Sequence, residues 1–173
     1  KAENWDKVYP GTSTMRYSIE HSINVAALNT ITDIGPQTAY DYLINFGFST
    51  LVNYDNDNFP GMTDVLPSTA LGGITRGVYN IELTAAYATI ANNGTYIKPI
   101  LYTKVVDHDG NVLLDNSTPD SHQVIKDSTA ALLTSAMQDV INKGTGTAAR
   151  LDGMPAAGKT GTTDAYNDLW FVG

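Results

Sequence analysis

The spacing of apolar and polar positions predicts four helical segments. The first follows Thr12-Ser13-Thr14, whose hydroxyl groups suit a helix N-cap, and its apolar residues continue to Leu28. The others are predicted over 36–47, 80–93 and 127–143, where apolar residues recur at helical spacing and a glycine stands at or just after the end. Pro36 suits a first helical position, and Asn80 is the expected cap of the third helix.

The apolar face of the first segment is interrupted at Ser22-Ile23-Asn24. Polar residues inside an apolar stretch either end one helix and begin the next, or point into a binding site. Both interpretations stay open on this pattern alone.

Alternating patterns predict strands in the second half of the chain. Residues 100–107 and 111–114 flank Asp109-Gly110, a dipeptide that favours a tight hairpin turn. The segments 159–162 and 169–172 are also predicted to be strands. The second of these runs almost to the last residue, so we expect the sheet to continue beyond this chain. The Asn- and Asp-rich stretch 53–61 is predicted to be a surface loop.

Composition excludes several classes of protein. The chain has 173 residues, no Cys and a net charge of −8. Disulfide scaffolds, zinc ribbons and thiol enzymes need Cys, and a membrane span needs about 18 consecutive apolar residues, which are absent from the sequence. An acidic chain without a Lys/Arg cluster is a poor partner for nucleic acid. The three histidines have no spacing typical of a metal site, and 53–58 lacks the glycine and terminal Glu of a calcium loop, so no metal is expected.

The segment Gly153 to Thr163 contains the most chemically suggestive sequence. Gly153, four residues and Gly158-Lys159-Thr160 match the phosphate-loop pattern, but that loop needs a buried strand before it and a helix after it. The residues before Gly153 are too polar for such a strand, and no helix is predicted after Thr163. We therefore favour a strand that lines a cleft.

In that interpretation Lys159-Thr160-Gly161-Thr162 forms a carboxylate-binding strand. Alternation places Lys159 and Gly161 on one face and Thr160 and Thr162 on the other. A glycine allows another extended backbone to approach the strand edge. A lone K-T-G is more often a solvent-facing edge strand, and a lone S-x-N is more often a helix break. Their occurrence together, with Ser22-Ile23-Asn24 first and Lys159-Thr160-Gly161 second, favours function, because both belong to a known motif set.

Four segments together resemble the transpeptidase domain of class A, high-molecular-weight penicillin-binding proteins, the bifunctional cell-wall synthases. The resemblance runs nearly from end to end of the chain. The segments are the approach to S-x-N at 14–25, the helix and strand from Gly77 through Ala85 to Pro99, Gly144-Thr145-Gly146-Thr147-Ala148-Ala149, and Ala157 to Thr163 followed by Asp168 to Gly173.

The resemblance implies an α/β fold of the α+β kind, with an antiparallel sheet flanked by helices, as in penicillin-binding proteins and serine β-lactamases, incomplete in this chain. It implies serine acyl transfer at D-Ala-D-Ala, with Ser22 as a proton relay and Lys159 as the positive charge beside it. Asn24 would hold the substrate amide or orient the lysine of S-x-x-K, and Thr160, Gly161, Thr162 and Thr163 would line the carboxylate and oxyanion positions.

The family's nucleophile, the serine of S-x-x-K, is missing from this sequence. The nearest match, Ser13-Thr14-Met15-Arg16, has Arg in place of Lys, and Arg cannot act as a base. We read Ser13 as a helix cap and Arg16 as a surface or packing residue. Residues 1–173 are therefore predicted to be an interior to C-terminal part of one transpeptidase domain, either one product of a nicked polypeptide or the portion that was expressed.

The expected partners are a peptidoglycan stem peptide, β-lactam antibiotics, and a companion segment that carries S-x-x-K and a glycosyltransferase domain. The resemblance implies no cofactor, and it places the parent protein at the extracytoplasmic face of the bacterial cell membrane, anchored by an N-terminal helix. Two alternatives stay open: a β-lactamase-like hydrolase, for which the Ile at 23 is unusual, and a non-catalytic peptide-binding fragment.

Overall fold

The computed structural model describes residues 3–163 and 168–173. The α-helices of this part of the chain are α1 (Met15–Glu20), α2 (Asn24–Ile34), α3 (Pro36–Asn45), α4 (Asn80–Ala91) and α5 (Asp127–Lys143). Two short 3-10 helices lie at Pro67–Leu71 and Thr147–Ala149. Within these described residues, no helix has the length and apolar character needed to cross a membrane.

The first predicted helical segment forms two helices, α1 and α2, that are separated at Ser22 and Ile23. Thr14 caps α1 by accepting a hydrogen bond from the Tyr17 amide at 3.2 Å. The expected cap Ser13 instead hydrogen-bonds the Ser18 hydroxyl at 3.0 Å. Pro36 begins α3, as its fixed φ favours. Asn80 is the first residue of α4 and not its cap, which is Tyr79 without a side-chain hydrogen bond.

The strands pair in antiparallel fashion, as predicted. In the described residues they form three two-stranded sheets: β1 (Thr95–Ile97) with β4 (Ser121–Gln123), β2 (Lys104–Val106) with β3 (Val112–Asp115), and β5 (Lys159–Thr162) with β6 (Leu169–Val172). A strand after the third predicted helix was expected from the family resemblance and is β1, whereas β4 and its pairing with β1 were not predicted, because three residues are too few to show an alternating pattern. The α+β class is confirmed.

The β2 and β3 hairpin has shorter strands than predicted, and its turn lies where the sequence predicts it. The first strand begins at Lys104 and carries an irregularity in register between Val105 and Val106. The Gly110 amide donates to the Asp107 carbonyl at 3.1 Å, which closes a β-turn that contains Asp109-Gly110. The Asp107 carboxylate also accepts hydrogen bonds from the Asp109 and Asn111 amides. Its bonds to Asn111 lower the pKa of Asp107.

Two groups of buried apolar side chains hold the helices together. One joins α3 and α4 to the segment after α3, and its buried members are Tyr40, Phe48, Leu51, Val65 and Ala86. The other lies along α5, which packs on α1 and α4, and its buried members are Ala130, Ala136, Met137, Val140 and Ile141. The packing of α5 on α1 brings the Ser22 turn near the C-terminal part of the chain.

A buried carboxylate orders the connection between α3 and α4. Asp64 is 1% exposed and accepts hydrogen bonds from the Val52 amide at 2.7 Å, the Thr75 amide at 2.8 Å and the Thr75 hydroxyl at 2.7 Å. These bonds close a loop whose middle is the 3-10 helix Pro67–Leu71, and this helix packs on α2. The 53–61 segment consists of turns, as predicted.

Candidate active site

Ser22 occupies a strained turn between α1 and α2. Its φ is 53°, in the left-handed region that residues other than glycine rarely adopt. The turn is closed by hydrogen bonds from the Ser22 amide to the Ile19 carbonyl and from the Ile23 amide to the Ser18 carbonyl, and the Ile23 side chain is buried. Backbone strain of this kind persists only where the surrounding structure enforces it, and it recurs at functional sites.

Lys159 connects the Ser22 turn to β5. Its ammonium nitrogen donates to the Ser22 hydroxyl oxygen at 2.8 Å and to the Thr160 carbonyl oxygen at 2.9 Å. Burial lowers the pKa of Lys159 below its ordinary value of 10.5. The hydrogen bond leaves the Ser22 hydroxyl proton available to another acceptor, so the pair can pass a proton.

Both residues line a cleft with a volume of about 730 Å³. Most of its lining is apolar and comes from α1, α2, α3 and the 3-10 helix at Pro67–Leu71. Among the lining residues that the structure describes, Lys159 carries the one formal charge. An apolar cleft with a single cation in its lining favours a ligand that has an apolar body and one carboxylate.

The four residues of β5 all line the cleft. Their pairing with β6 is regular from Lys159 to Thr162, as an alternating strand requires. The Thr160 hydroxyl lies 2.8 Å from the Thr145 hydroxyl. At Gly161 a Cβ atom would meet nothing closer than the Trp170 Cβ at 3.9 Å, so there is free space beside this glycine.

Two of the predicted site residues are engaged elsewhere. Asn24, the first residue of α2, lines the cleft, but its side-chain amide donates to the Glu3 carbonyl at 2.9 Å. The Thr163 hydroxyl accepts from the Asp168 amide at 2.9 Å and lies 3.2 Å from the Asp168 carboxylate. Thr163 does not line the cleft in this structure.

The remaining sequence interpretations can be compared with the fold. Lys159 begins a strand and not a helix, which excludes the phosphate-loop interpretation. Arg16 lies on the surface, as predicted, where it contacts Asp139 at 2.6 Å and the Ser135 carbonyl at 3.0 Å. Among the residues that the structure describes, no group of three or more His, Asp or Glu side chains is arranged to hold a metal ion.

Sequence reasoning did not predict a site role for Thr145 or for the 3-10 helix at Pro67–Leu71. Thr145 lies in Gly144-Thr145-Gly146-Thr147-Ala148-Ala149, one of the four segments that carry the family resemblance, and that membership was the available signal. The 3-10 helix contributes Thr69, Ala70 and Leu71 to the cleft, and nothing in its spacing indicates that.

The whole chain, residues 1–173, matches the family model of the penicillin binding protein transpeptidase domain. Penicillin-binding protein 1A of Clostridium novyi is 34% identical over 174 residues, which cover 99% of this chain and 19% of that protein. Penicillin-binding protein 4 of Bacillus subtilis is 33% identical over 174 residues, which cover 99% of this chain and 26% of that protein. The chain thus spans about a fifth to a quarter of the length of these relatives.

Solved structures show the same fold. The PonA1 protein of Mycobacterium tuberculosis in complex with penicillin V superposes with a TM-score of 0.77 at 26% identity, covering 98% of this chain and 46% of that chain. The D,D-transpeptidase domain of the peptidoglycan glycosyltransferase of Eggerthella lenta gives a TM-score of 0.73 at 23% identity, covering 98% of this chain and 47% of that chain. Together with the paired S-x-N and K-T-G residues, these matches show that the chain belongs to the penicillin-binding protein transpeptidase domain family, and its relatives include the class A proteins named 1A.

Proposed function

We propose that residues 1–173 supply the proton relay and the carboxylate-binding strand of a serine D,D-transpeptidase. The observation that carries this proposal is the 2.8 Å hydrogen bond from the Lys159 ammonium to the Ser22 hydroxyl, two residues that line the cleft. Two motifs 137 residues apart meet there, in a fold whose relatives are transpeptidase domains. The nucleophilic serine, in an S-x-x-K motif, lies on a segment outside these 173 residues, which contain no such motif.

In the proposed first step the nucleophilic serine attacks the carbonyl carbon between two D-alanines of a stem peptide. A C–O bond forms, the C–N bond breaks, and the serine proton passes through the Ser22 hydroxyl to the leaving D-alanine nitrogen. In the second step an amine of a neighbouring stem peptide attacks the ester. A C–N bond forms, the C–O bond breaks, and a proton of that amine returns through Ser22 to the serine oxygen.

Each remaining site residue has a proposed role. The Lys159 charge polarises Ser22 and attracts the terminal carboxylate of the substrate, which the Thr160 and Thr162 hydroxyls bind. Gly161 leaves room for the extended substrate backbone beside β5. A backbone N–H near Thr162 completes the oxyanion hole. Asn24 contacts the substrate amide after releasing the Glu3 carbonyl, and Thr163 remains a predicted substrate contact.

The proposal extends to the protein of which these residues are a part. The relatives named penicillin-binding protein 1A are several times longer than this chain, which supports a companion segment with the nucleophile and a glycosyltransferase domain. The parent protein would act at the extracytoplasmic face of the bacterial membrane, anchored by an N-terminal helix. The complexes of relatives with penicillin V and ampicillin support β-lactams as covalent inhibitors of the parent.

The test is intact-mass spectrometry of the longest polypeptide that the gene encodes, before and after incubation with a fluorescent penicillin. We expect one adduct, which peptide mapping places outside residues 1–173. Ser22→Ala should slow acylation by about 100-fold or more, the usual effect of a lost proton relay. Ser128→Ala is the matched control, because Ser128 is an exposed residue of α5, and it should react at the wild-type rate.

Three outcomes would contradict parts of the proposal. The absence of any adduct would overturn serine acyl transfer. An adduct on Ser13, Ser22 or another residue of this chain would contradict the proposal that the nucleophile lies outside residues 1–173. An adduct that is hydrolysed within seconds would indicate a β-lactamase-like hydrolase and not a transpeptidase.

A further inference from the structure

The hydroxyl groups of Thr145 and Thr160 form a direct pair 2.8 Å apart. Thr160 lines the cleft beside Lys159, whereas Thr145 does not line it. A threonine hydroxyl can donate one hydrogen bond while it accepts another. The pair therefore has the form of a short chain in which one hydroxyl can fix the orientation of the next.

The turn that carries Thr145 is held on both sides. The Gly144 amide donates to the Asp139 and Val140 carbonyls at 3.0 and 3.1 Å, and the Gly146 amide donates to the Val140 carbonyl at 3.0 Å. A Cβ on Gly144 would collide with the Glu20 carbonyl oxygen and lie 2.9 Å from the Val140 Cα. Only a glycine at position 144 allows the turn to lie this close to the Glu20 carbonyl and to α5. The backbone of Thr145 therefore has little freedom to move.

Thr145 also contacts the other half of the site. Its amide donates to the Glu20 carbonyl at 3.3 Å, and Glu20 lies two residues before Ser22. Glu20 is 7% exposed, and its carboxylate pairs with Lys143 at 3.2 Å. One residue therefore bridges the end of α1 and strand β5, the two elements that carry Ser22 and Lys159.

We propose that Thr145 is a positioning residue for carboxylate recognition, donating its hydroxyl proton to Thr160 so that the Thr160 proton points into the cleft. This inference rests on the proposed function, because the ligand of Thr160 is the terminal carboxylate of a stem peptide or a β-lactam. With its oxygen already accepting a hydrogen bond, the Thr160 hydroxyl is oriented and a better donor to an anion. Thr145 itself touches neither the substrate nor the reacting atoms.

The test compares two probes that differ in charge: benzylpenicillin, which has a carboxylate, and its methyl ester, which has none. Acylation of the longest natural polypeptide is followed by competition with a fluorescent penicillin. Thr145→Val removes the hydroxyl group but keeps the shape of the side chain. It also keeps the hydrogen bond from the backbone amide of residue 145 to the Glu20 carbonyl. We expect a two- to tenfold slower reaction with the acid, the usual effect of one neutral hydrogen bond, and an unchanged reaction with the ester.

Three further variants complete the design. Thr145→Ser retains the hydroxyl and should restore the rate with the acid. Thr145→Val combined with Thr160→Val should be no slower than Thr160→Val alone, because Thr145 acts through Thr160. Thr147→Val is the matched control, an exposed threonine two residues further along the chain, and it should react as the wild type does with both probes.

Two results would overturn the inference alone. One is an unchanged acylation rate for Thr145→Val with the acid. The other is an equal loss of rate with the acid and the ester, which would assign Thr145 a purely structural role. A wild-type protein that the acid does not acylate would instead overturn the proposed function, and this inference with it. The wild-type reaction therefore separates the two failures.

Discussion

The Lys159 ammonium nitrogen lies 2.8 Å from the Ser22 hydroxyl oxygen, and this hydrogen bond joins strand β5 to the turn between α1 and α2. Ser22 reaches it from a left-handed backbone conformation with a φ of 53°. The same ammonium also donates to the Thr160 carbonyl, so its position is fixed from two directions. The site is thus built from a strained turn and a partly buried charge, and both give rise to measurable properties.

As the pH rises, the acylation rate should begin to fall at a lower pH than it would if Lys159 had the ordinary pKa of a lysine. Burial lowers the pKa of Lys159 below 10.5, so the charge that we propose attracts the substrate carboxylate is lost as the pH rises toward that value. Lys159→Arg keeps a charge throughout this range, although its geometry differs and its rate at neutral pH should be lower. The measurement is the rate of reaction with a fluorescent penicillin between pH 7 and 11, with circular dichroism to verify folding. The same alkaline decline in both proteins would contradict this prediction.

Substitutions of two glycines in and next to β5 should differ in their effects on stability. Gly161→Ala adds a Cβ that contacts only the Trp170 Cβ at 3.9 Å, so urea unfolding should change little, while the alanine methyl group obstructs the substrate backbone and slows acylation. Gly158→Ala places its Cβ 2.7 Å from the Phe171 Cζ and 2.8 Å from the Val172 carbonyl oxygen. That variant should be destabilised by about 1–3 kcal/mol, the usual cost of overpacking. Equal stability losses in the two variants would refute the distinction.

Asp64→Asn should destabilise the fold by about 1–3 kcal/mol, measured by urea unfolding at pH 7. The buried carboxylate accepts two backbone amides and one hydroxyl, and an amide side chain turns one acceptor oxygen into a donor that faces another donor. Thr75→Val is the matched control, because it removes only the hydroxyl bond, and it should cost less. If Asp64→Asn unfolds at the wild-type urea concentration, the carboxylate does not order this loop.

The pair between Arg16 and Asp139 should make stability depend on pH. The hydrogen bond from Arg16 holds the pKa of Asp139 below its ordinary value of 3.8. A carboxyl of this kind stabilises the fold above its unfolded pKa, and its contribution is lost as the pH falls through its lowered, folded pKa. Arg16→Met should therefore unfold at lower urea than the wild type at pH 7, with a smaller difference below pH 3.

A second exposed pair provides the comparison for Arg16. Lys104 lies 3.6 Å from Asp115 in the hairpin, so Lys104→Met removes a pair without the additional bonds that Arg16 makes to Ser135. It should change the urea midpoint less than Arg16→Met does. Arg16→Met should also be acylated at the wild-type rate, since Arg16 lies outside the cleft lining. A pH-independent difference between wild type and Arg16→Met would refute the role of Asp139.

Local patterns in the sequence predicted most of the long elements. Helices α3 and α5 lie close to their expected bounds, because each has a regular apolar period and a recognisable end residue such as Pro36 or Gly144. Strands β5 and β6 also match their expected bounds, β5 from its motif and β6 from its short apolar run. The motifs at Ser22 and Lys159 were predicted together from their order and residue types. Strand β4 was missed because it has only three residues, and β1, equally short, was expected only from the family resemblance.

By itself, the sequence predicted the family and the α+β class, because four of its segments resemble those of known transpeptidase domains, and it singled out Ser22 and Lys159 through the residue types and order of two motifs. Tertiary structure alone decided that Lys159 reaches Ser22, that all four residues of β5 line the cleft, and that Thr145 pairs with Thr160. It also placed the Asn24 amide on Glu3 and the Thr163 hydroxyl on Asp168. The physical reason is that a side-chain hydrogen bond depends on distances of a few tenths of an ångström, which the packing of α5 on α1 and of β5 on β6 sets and which no local pattern encodes.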